Sequence, residues 1–578
     1  MKMKMFLIWG TLAVLLVGLH KSAQPHEKID LATLVKNKEA AFTQCVVPKY
    51  ILGTIDTTSQ VAPLFSNLGT HVYKISTNNP RAQTFFNQGL SLVYGFNHAE
   101  AHRSFMEVRR LDAKSAMAYW GEAYALGPNI NDPFPDNERK LKAFEAVKKA
   151  VELSAYGTKK EKDLINALAA RYSEDLTADI NALNEKFMMA MKTVAKKYPE
   201  DSDILTIYAA SIMDTKPWSY WEKDLQPKAY IPEAKIALEK AIELNPNNPG
   251  AHHYYIHLME LPKPDVAVKS AETLLNLMPG AGHMVHMPSH IFIRVGRYKD
   301  ALDANIQAIE ADEDYISQCY SQGMYPLAYY PHNIHFLWSS ATMLGNSKMA
   351  IDAAKKAAEK VPLGQLEPLH FLQDFASTPL LAYIRFGKWN EILTFPEPGS
   401  NIVHLSMMRN YARGIAFVRK NDLKQAKEEL AILETHKNNP ELANVLAVFN
   451  NNSLVAAQIA YQVVKGEIAA AEGNYKEAIE TLKQGVALED NLVYAEPAPW
   501  HIPVRQSLGR VLLLSGQNAE AELVYKQDLS VNRQNGWSLI GLYHSLKNQD
   551  KLSEAEKVLA DFNAAWQFAD VKIDHSVF

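Results

Sequence analysis

Small and apolar residues recur along the sequence at fixed steps. Gly89 is followed twelve residues later by Ala101 and, four residues further on, by Phe105. The same twelve-residue step separates Gly466 from Ala478. A small residue on one helix that faces a small residue on the next allows two helices to pack closely. The pattern therefore predicts pairs of helices rather than strands.

The middle of the chain carries the same pattern around four alanines. Each of four alanines is followed by further residues of the pattern, four and seven positions later: Ala234, Ala267, Ala301 and Ala350. Three of these four units end on a proline. Ala267 and Ala301 are 34 residues apart, which is the tetratricopeptide period; the longer step to Ala350 contains an insertion that includes CYSQGMYPLAYYP. Strand signals are nearly absent. The predicted fold is all-α, a tetratricopeptide-type α-solenoid of roughly ten helical hairpins.

Composition and length set the broad class and the organisation. The 578 residues are 47% hydrophobic and 21% charged, as expected for a folded soluble chain. A net charge of −4 without any basic run argues against nucleic-acid binding. The predicted segments are a signal peptide (1–23), an N-terminal extension (24–79), a His-rich solenoid (80–390) and C-terminal tetratricopeptide repeats (391–578).

The beginning of the chain has the pattern of a secretory signal. Lys2 and Lys4 precede an apolar stretch from Met5 to Leu19, which is short for a membrane span. Lys21 makes a poor cleavage site, so an uncleaved anchor is the alternative. Later in the chain no apolar run is long enough to cross a membrane. We expect a periplasmic or secreted protein without a membrane span in its mature form.

The chain contains two cysteines, Cys45 and Cys319. An oxidising compartment permits a disulfide between them, but the sequence does not decide whether they pair.

Histidines are concentrated in one part of the chain. Eight of the 19 lie between positions 252 and 335, whereas even spacing would place about three there. They are His252, His253, His257, His283, His286, His290, His332 and His335. Imidazole is costly to bury without a partner, and it is a common ligand of metals. The other histidines, including His98, His102, His404, His501 and His544, are interpreted as packing residues.

The repeat register relates these histidines to one another. In each repeat a first helix, helix A, is followed by a second, helix B, which carries the alanine of the pattern. His252, His286 and His335 lie fifteen residues before Ala267, Ala301 and Ala350, so they share one position in helix A. Helix A commonly lines the concave groove of such solenoids. Within helices, His253–His257 and His286–His290 are spaced to stack on one face. Pro288 is expected to kink the helix between His286 and His290.

These positions predict a metal site on the concave side, formed by three or four of the eight histidines. Neighbouring helices lie about 8–10 Å apart, so imidazoles from adjacent helices can reach one ion. Because carboxylates are few in these blocks, nitrogen ligation favours Cu or Zn. An open position would admit water or a small-molecule substrate, and whether the site is catalytic is left open. There is no HExxH motif, since Glu260 follows His257 at the wrong spacing, and no hydrolase or phosphate-loop signature.

A second interpretation belongs to a different functional class. The groove could serve as a metal-free scaffold that binds a protein or peptide in the cell envelope, with Tyr255, Tyr330 and Trp338 as contact residues. The histidines would then be hydrogen-bonded packing residues. Metal analysis of the purified protein separates the two interpretations.

The histidine blocks also carry a family resemblance. HHYYIHLME, PGAGHMVHMPSHIFIRVGRY and YYPHNIHFLW, together with AMAYWGEAYALGPNI, resemble a family of bacterial exported tetratricopeptide proteins. The resemblance covers most of residues 80–390; from about 400 onward only general tetratricopeptide patterning remains. It implies the fold and an exported location, and it names no reaction.

Overall fold

The computed structural model describes residues 58–317, 325–399, 401–448 and 450–578. The predicted signal peptide, Cys45 and Cys319 lie outside these residues. Of the structure, 68% is helical. The only strands among the described residues are β1 (Leu446–Val448) and β2 (Asn451–Asn452), which pair antiparallel.

The first half of the chain forms a continuous series of helices joined by short connections. They are α1 (Pro80–Tyr94), α2 (His98–Leu111), α3 (Ala116–Leu126), α4 (Asn137–Leu153), α5 (Lys159–Ala169), α6 (Ile180–Lys197), α7 (Ser202–Met213), α8 (Ile231–Leu244), α9 (Pro249–Met259), α10 (Pro264–Leu274), α11 (Gly282–His286), α12 (Pro288–Arg294) and α13 (Tyr298–Ser317).

The second half continues in the same way after a turn of π-helix at Tyr325–Tyr329. Its helices are α14 (Tyr330–Met343), α15 (Ser347–Glu359), α16 (Leu372–Arg385), α17 (Trp389–Leu393), α18 (Val403–Arg419), α19 (Leu423–Lys437), α20 (Ser453–Ala471), α21 (Tyr475–Glu489), α22 (Val504–Leu514), α23 (Asn518–Val531), α24 (Gly536–Lys547) and α25 (Leu552–Ala565). Short 3₁₀ turns lie at Ser154–Tyr156, Leu363–Gln365 and Pro440–Asn444.

The small residues of the repeat are where the helices meet. A Cβ atom on Gly89 would lie 2.7 Å from the Phe105 ring, and one on Gly466 would lie 2.7 Å from Leu482. The alanines of the repeat pattern have no exposed surface: Ala101, Ala234, Ala267, Ala301, Ala350 and Ala478. Successive helices pack against each other in hairpins, such as α1 with α2 and α20 with α21. The predicted tetratricopeptide-type solenoid is therefore confirmed.

The predicted break at Pro288 is also present. Helix α11 ends at His286 and α12 begins at Pro288, with Met287 between them. Proline lacks the amide hydrogen that would continue the first helix, so the chain starts a new one.

The described part of the N-terminal extension lies along the first hairpin and the α10–α11 connection. The Val61 amide donates to Glu107 (3.0 Å), and the Phe65 amide donates to Gln88 (2.9 Å). The Gly280 amide donates to the carbonyl of Asn67 (2.8 Å). The extension thus fixes the turn that precedes the first histidines of α11.

The solenoid returns on itself, so that distant repeats touch. Asp265 forms an ion pair with Arg533, which lies 268 residues further along the chain (2.8 Å). The Trp537 indole donates to the carbonyl of Thr342 (3.0 Å). Two large hydrophobic cores, within residues 62–301 and 298–555, meet at α13. Within the described part of the chain, every helix is too short or too polar to traverse a lipid bilayer.

Candidate metal centres

Helices from both halves of the chain surround a cavity of about 560 Å³. Titratable and aromatic side chains dominate its wall: His257, His283, His290, His332, His335, Asp374, Glu496 and His501, with Phe96, Trp218, Tyr329, Phe371 and Phe375. Phe134 also lines the cavity and is 71% exposed, so the cavity reaches the protein surface there.

Six of the eight predicted histidines lie together on α9, α11, α12 and α14, and we call them the histidine cluster. Its members are His253, His257, His283, His286, His290 and His332. Consecutive rings have centroids 4.8 to 5.9 Å apart. Two trios bring their ring nitrogens within 4.8 Å of one another: His253–His257–His283 and His286–His290–His332. The cluster is a suitable arrangement for a metal ion.

The shared repeat position does not bring its three histidines together. His286 belongs to the histidine cluster, while His335 lies in another group with Asp374 and His501. The Nε2 atom of His252 bonds the carbonyl of Pro246 (2.8 Å), and His252 belongs to no such group among the described residues. Histidines at equivalent repeat positions lie in different groups because the residues around each of them differ.

Two carboxylates complete the cluster. Glu260 follows α9 directly, and Glu496 lies on the 490–503 loop between α21 and α22. The Nδ1 atom of His290 lies 2.9 Å from Glu260 Oε2 and 3.0 Å from Glu496 Oε2, and His257 Nδ1 lies 3.6 Å from Glu260 Oε2. Although close, His290 Nδ1 and both of these oxygens make no hydrogen bond in the structure.

A chain of hydrogen bonds places a proton on the Nε2 atom of His290. The amide nitrogen of Asn305 donates to the carbonyl of Ala301 (2.7 Å), so its Oδ1 accepts from Nδ1 of His286 (2.7 Å). His286 Nε2 is then an acceptor, and it receives the Nε2 proton of His290 (2.9 Å). In neutral His290 the Nδ1 lone pair consequently points at Glu260 and Glu496.

Several ring nitrogens of the His253–His257–His283 trio also lack hydrogen-bond partners in the described structure. His253 Nδ1 bonds the carbonyl of Tyr94 (2.5 Å), which leaves its Nε2 as a lone pair. That Nε2 and both ring nitrogens of His257 and of His283 are buried without hydrogen-bond partners in the described structure. Leaving a buried polar atom unpaired costs roughly 1–3 kcal/mol, so several of them in one place need a compensating ligand.

Burial and neighbouring charge set the protonation of these groups. Burial holds the pKa of His253, His283 and His286 well below the usual value, so these imidazoles are neutral. Burial alone would lower the pKa of His290, but Glu260 and Glu496 outweigh it and raise that pKa to about 9.

The two carboxylates respond in opposite directions. Burial favours a higher pKa for Glu260, but His290 and His257 overcome it and hold the value below the usual range. Burial and the adjacent charge of Glu260 raise the pKa of Glu496.

Aromatic residues form one side of the cluster. The ring centroid of Phe96 lies 4.4 Å from His253 and 5.4 Å from His283, and Trp218 meets His257 edge-on at 5.0 Å. Phe96 has φ +56°, a left-handed conformation that costs about 1–3 kcal/mol for a bulky residue. This strained position places an apolar wall against three histidines.

A separate group surrounds Asp374, near the start of α16. Its carboxylate oxygens lie 4.0 Å from His335 Nε2 on α14, 4.0 Å from His404 Nε2 on α18 and 3.6 Å from His501 Nε2 on the 490–503 loop. We call these four residues the Asp374 group. Burial lowers the pKa of His335 to about 3 and of His404 to about 4, so both are neutral near pH 7.

The three aromatic residues predicted to contact a partner are buried. Tyr255 donates to Glu239 (2.9 Å) and Tyr330 donates to Glu313 (2.7 Å). Trp338 stacks on His335 with ring centroids 4.9 Å apart. They are exposed by 5%, 4% and 2%, which leaves little surface for a partner to contact.

Sequence reasoning missed the acidic members of both groups and two histidines. Glu260 adjoins a histidine block, and its presence three residues after His257 was a usable signal. Glu496, Asp374, His404 and His501 lie far from that block in sequence. Asp374 and His404 lie on helices that pack against their neighbours in chain order, whereas Glu496 and His501 reach the cavity because the solenoid returns on itself, which the repeat register does not encode.

No protein-family model and no curated protein sequence matches this chain. Among solved structures it is similar to the human IFIT1 dimer with m7Gppp-AAAA, with 13% identity, 79% of this chain and 91% of that chain covered, and a TM-score of 0.31. It is also similar to yeast Tom70 (13% identity, 84% and 90%, TM-score 0.24) and to Naa15/Naa10 bound to HypK-THB (13% identity, 85% and 71%, TM-score 0.21).

Alignments at these identities and TM-scores support no inference about function. The hairpins and buried alanines themselves establish the fold. The chain is a tetratricopeptide-type solenoid whose inward-facing side chains surround a cavity with two groups of histidines and carboxylates.

Proposed function

We propose that the protein binds a divalent transition-metal ion through His257, Glu260, His290 and Glu496, which we call the Glu260 centre. The observation that carries the proposal is the approach of the buried Nδ1 atom of His290 to two carboxylate oxygens, at 2.9 and 3.0 Å.

The spacing of these atoms is that of ligands around one ion. Metal bonds of about 2.0–2.2 Å, separated by angles of 90–110°, place neighbouring ligand atoms roughly 2.8–3.6 Å apart. The Nδ1 atoms of His290 and His257 lie 2.9 and 3.6 Å from Glu260 Oε2. Four groups on three separate segments therefore need only small adjustments to surround a cation.

The hydrogen-bonded chain through His286 supports the same proposal. A histidine that ligates a metal usually donates its second ring proton to a neighbouring group, which fixes its tautomer and orientation. His290 donates from Nε2 to His286, whose own Nδ1 proton is held by Asn305. This arrangement orients the Nδ1 lone pair of His290 toward the two carboxylates before any metal arrives.

A metal-free state accounts for the same atoms in a different way. Protonated His290 would lie between Glu260 and Glu496 as a buried cation, and its raised pKa is consistent with that state. Metal binding would displace this proton, because ligation requires a free lone pair. The two states differ in metal content, which can be measured directly.

The ligand types bear on the choice of metal. A mixed set of imidazoles and carboxylates suits Zn²⁺, Fe²⁺ or Mn²⁺, whereas nitrogen-only sets suit Cu and Zn. The Cu or Zn prediction assumed few carboxylates, and the structure adds Glu260 and Glu496 to the set. Zn²⁺ satisfies both considerations, so we propose it as the first ion to test. The His253–His257–His283 trio offers a nitrogen-only site, but it shares His257 with the Glu260 centre.

Export remains part of the proposal, as does a small-molecule substrate in the cavity. The cavity borders His257, His290 and Glu496 directly, so an ion held there would be accessible to water or a substrate. In the scaffold alternative a protein or peptide partner would bind without metal. A partner that stays bound after the metal is removed would favour the scaffold alternative.

The test is the metal content of purified protein. Protein stripped with a chelator is reloaded with Zn²⁺, dialysed and measured by elemental analysis, alongside Glu260→Gln and His290→Gln. Both variants should lose one ion per chain. His544→Gln is the control, because His544 lies against Asp574 at the C-terminal end and outside the cavity.

The proposal fails if wild-type protein retains no metal. It also fails if both variants, with circular dichroism like that of wild type, hold as much Zn²⁺ as wild type does.

A further inference from the structure

We infer that the Asp374 group is a second, independent metal centre, formed by His335, Asp374, His404 and His501. It takes a divalent ion of the Zn²⁺, Mn²⁺ or Fe²⁺ class, for which three imidazoles and one carboxylate are suitable ligands. Its ligands are distinct from those of the Glu260 centre, so neither centre depends on the other for its atoms.

The first argument is orientation. The Nε2 atoms of all three histidines face the carboxylate of Asp374, at 4.0, 4.0 and 3.6 Å. Each of these Nε2 atoms is buried and has no hydrogen-bond partner among the described residues. Three imidazoles from three different segments thus present the same nitrogen to one carboxylate, and His335, Asp374 and His501 bring their ligand atoms within 4.8 Å of one another.

The second argument is the tautomer of His404. The hydroxyl of Ser453 donates to the carbonyl of Val445 (3.1 Å), so its oxygen accepts the Nδ1 proton of His404 (2.8 Å). The Nε2 atom of neutral His404 is then a lone pair that faces a carboxylate oxygen. Two electron-rich atoms facing each other in a buried place repel, unless a cation lies between them.

The third argument is distance. Separations of 3.6 to 4.0 Å exceed the 2.7–3.2 Å of a nitrogen–oxygen hydrogen bond. They exceed by only a few tenths of an ångström the roughly 2.8–3.6 Å between adjacent ligands of a metal with 2.0–2.2 Å bonds. The group is therefore too open for direct hydrogen bonds and requires only a small contraction to bind an ion.

Surrounding residues hold the ligands in place. His335 stacks on the Trp338 ring with centroids 4.9 Å apart, and His501 and Phe375 meet it edge-on at 4.8 and 5.3 Å. Gln373, next to Asp374, accepts from the backbone amide of His404 (2.9 Å). These contacts join α14, α16 and α18 at the positions that carry the ligands.

Both centres border one cavity. His335, Asp374 and His501 line it, as do His257, His290 and Glu496. His332 of the histidine cluster and His335 of the Asp374 group lie one turn apart on α14. A molecule within the cavity could thus contact both ions.

Cobalt is the probe for this centre, because Co²⁺ replaces such ions and its visible absorption reports the ligands around it. Stripped full-length protein is titrated with Co²⁺, and the bound ions per chain are counted by elemental analysis. Wild type should bind two ions per chain. Asp374→Asn and His501→Gln should each bind one, with loss of the visible bands that belong to the second centre.

Three further variants keep the result interpretable. Glu260→Gln should also bind one ion, and Glu260→Gln with Asp374→Asn should bind none. Asp528→Asn is the matched control, since it makes the same change at a buried aspartate outside the cavity. It should bind two ions. His404→Gln, which keeps a polar side chain beside Ser453, provides a milder test and should weaken Co²⁺ binding at least tenfold.

The outcomes separate this inference from the proposed function. If Asp374→Asn and His501→Gln retain the wild-type number of ions and the wild-type spectrum, the second centre is wrong, whatever Glu260→Gln does. If Glu260→Gln keeps every ion that wild type binds and Asp374→Asn loses one, the proposed Glu260 centre is wrong and the Asp374 centre is supported. If Asp374→Asn loses all ions while circular dichroism is unchanged, the two centres are one, and independence is wrong.

Discussion

Two polar groups in this protein are both buried but differ in how their atoms are paired. In the C-terminal repeats, the carboxylate of Asp528 accepts from Ser538 (2.5 Å), Asn535 (3.1 Å) and Asn532 (2.9 Å). In the histidine-rich repeats, Glu260, Glu496 and the imidazoles beside them leave several nitrogens and oxygens unpaired.

The difference in hydrogen bonding indicates the role of each group. A buried network whose members are all hydrogen-bonded stabilises the helices that carry it. A buried group with converging lone pairs costs stability on its own, and residues of that kind mark binding sites. The contrast favours a role in the fold for the Asp528 network and supports the proposal that the histidine cluster binds a ligand. Four experiments test this contrast.

The largest effect should come from Asp528→Ala. The change leaves the buried donors of Ser538 and Asn535, and the half-buried amide of Asn532, without this acceptor, and we expect a loss of about 3 kcal/mol of stability. Chemical or thermal unfolding followed by circular dichroism measures this loss. Metal content of the protein that remains folded should not change. A loss of metal together with an unchanged melting temperature would contradict the assignment of this network to the fold.

Removal of metal should lower the stability of the histidine-rich region. An ion that binds only the folded state stabilises it by about 2.7 kcal/mol at a free concentration one hundred times its Kd. Addition of Zn²⁺ to stripped protein should raise the melting temperature, and a chelator should reverse the rise. Asp528→Asn should show the same rise from a lower starting point. An equal rise in protein that lacks both Glu260 and Asp374 carboxylates would show that the ion binds elsewhere.

Asn305→Leu should have an intermediate effect. Asn305 touches no proposed ligand directly, but it holds the Nδ1 proton of His286 and thereby the tautomer of His290. Loss of such a supporting partner typically weakens metal binding by about 10–100-fold. Competition with a chromogenic chelator measures the Zn²⁺ affinity. Asn535→Leu, a buried asparagine of the Asp528 network, is the control and should leave the affinity unchanged.

The smallest effect should come from His252→Ala. This residue bonds the carbonyl of Pro246 and joins no ligand group, so we expect a loss of about 1 kcal/mol of stability and no change in metal content. Thermal unfolding and elemental analysis measure the two quantities. A loss of metal in this variant would favour the arrangement predicted from repeat register over the one in the structure.

The sequence predicted the fold well because its signals are local. Gly89, Phe105 and the helix B alanines lie within one or two helices of their contacts, and their spacing follows from helix geometry alone. The break at Pro288 is equally local. The candidate site was predicted only in part, for the opposite reason.

The pairs His253–His257 and His286–His290 are visible as i,i+4 spacings, and both lie in the cluster. Asp374 comes from a helix that packs against α14 and α15, whereas Glu496 and His501 join the histidines through the return of the solenoid on itself. That return depends on small rotations summed over many repeats, which no single spacing reveals. His252 shows the limit of register, since the local terminus of α9 redirects a ring that the repeat pattern aligned with His286.

The 490–503 loop supplies Glu496 to one centre and His501 to the other. A ribosome makes this loop long after His257, His290 and His335, so a growing chain lacks a ligand for each ion until residues 490–503 have been made. If the two centres bind metal as proposed, the unfinished protein should hold the ions it meets during synthesis less tightly than the finished one. The surroundings in which the final repeats fold would then determine which metals the protein carries.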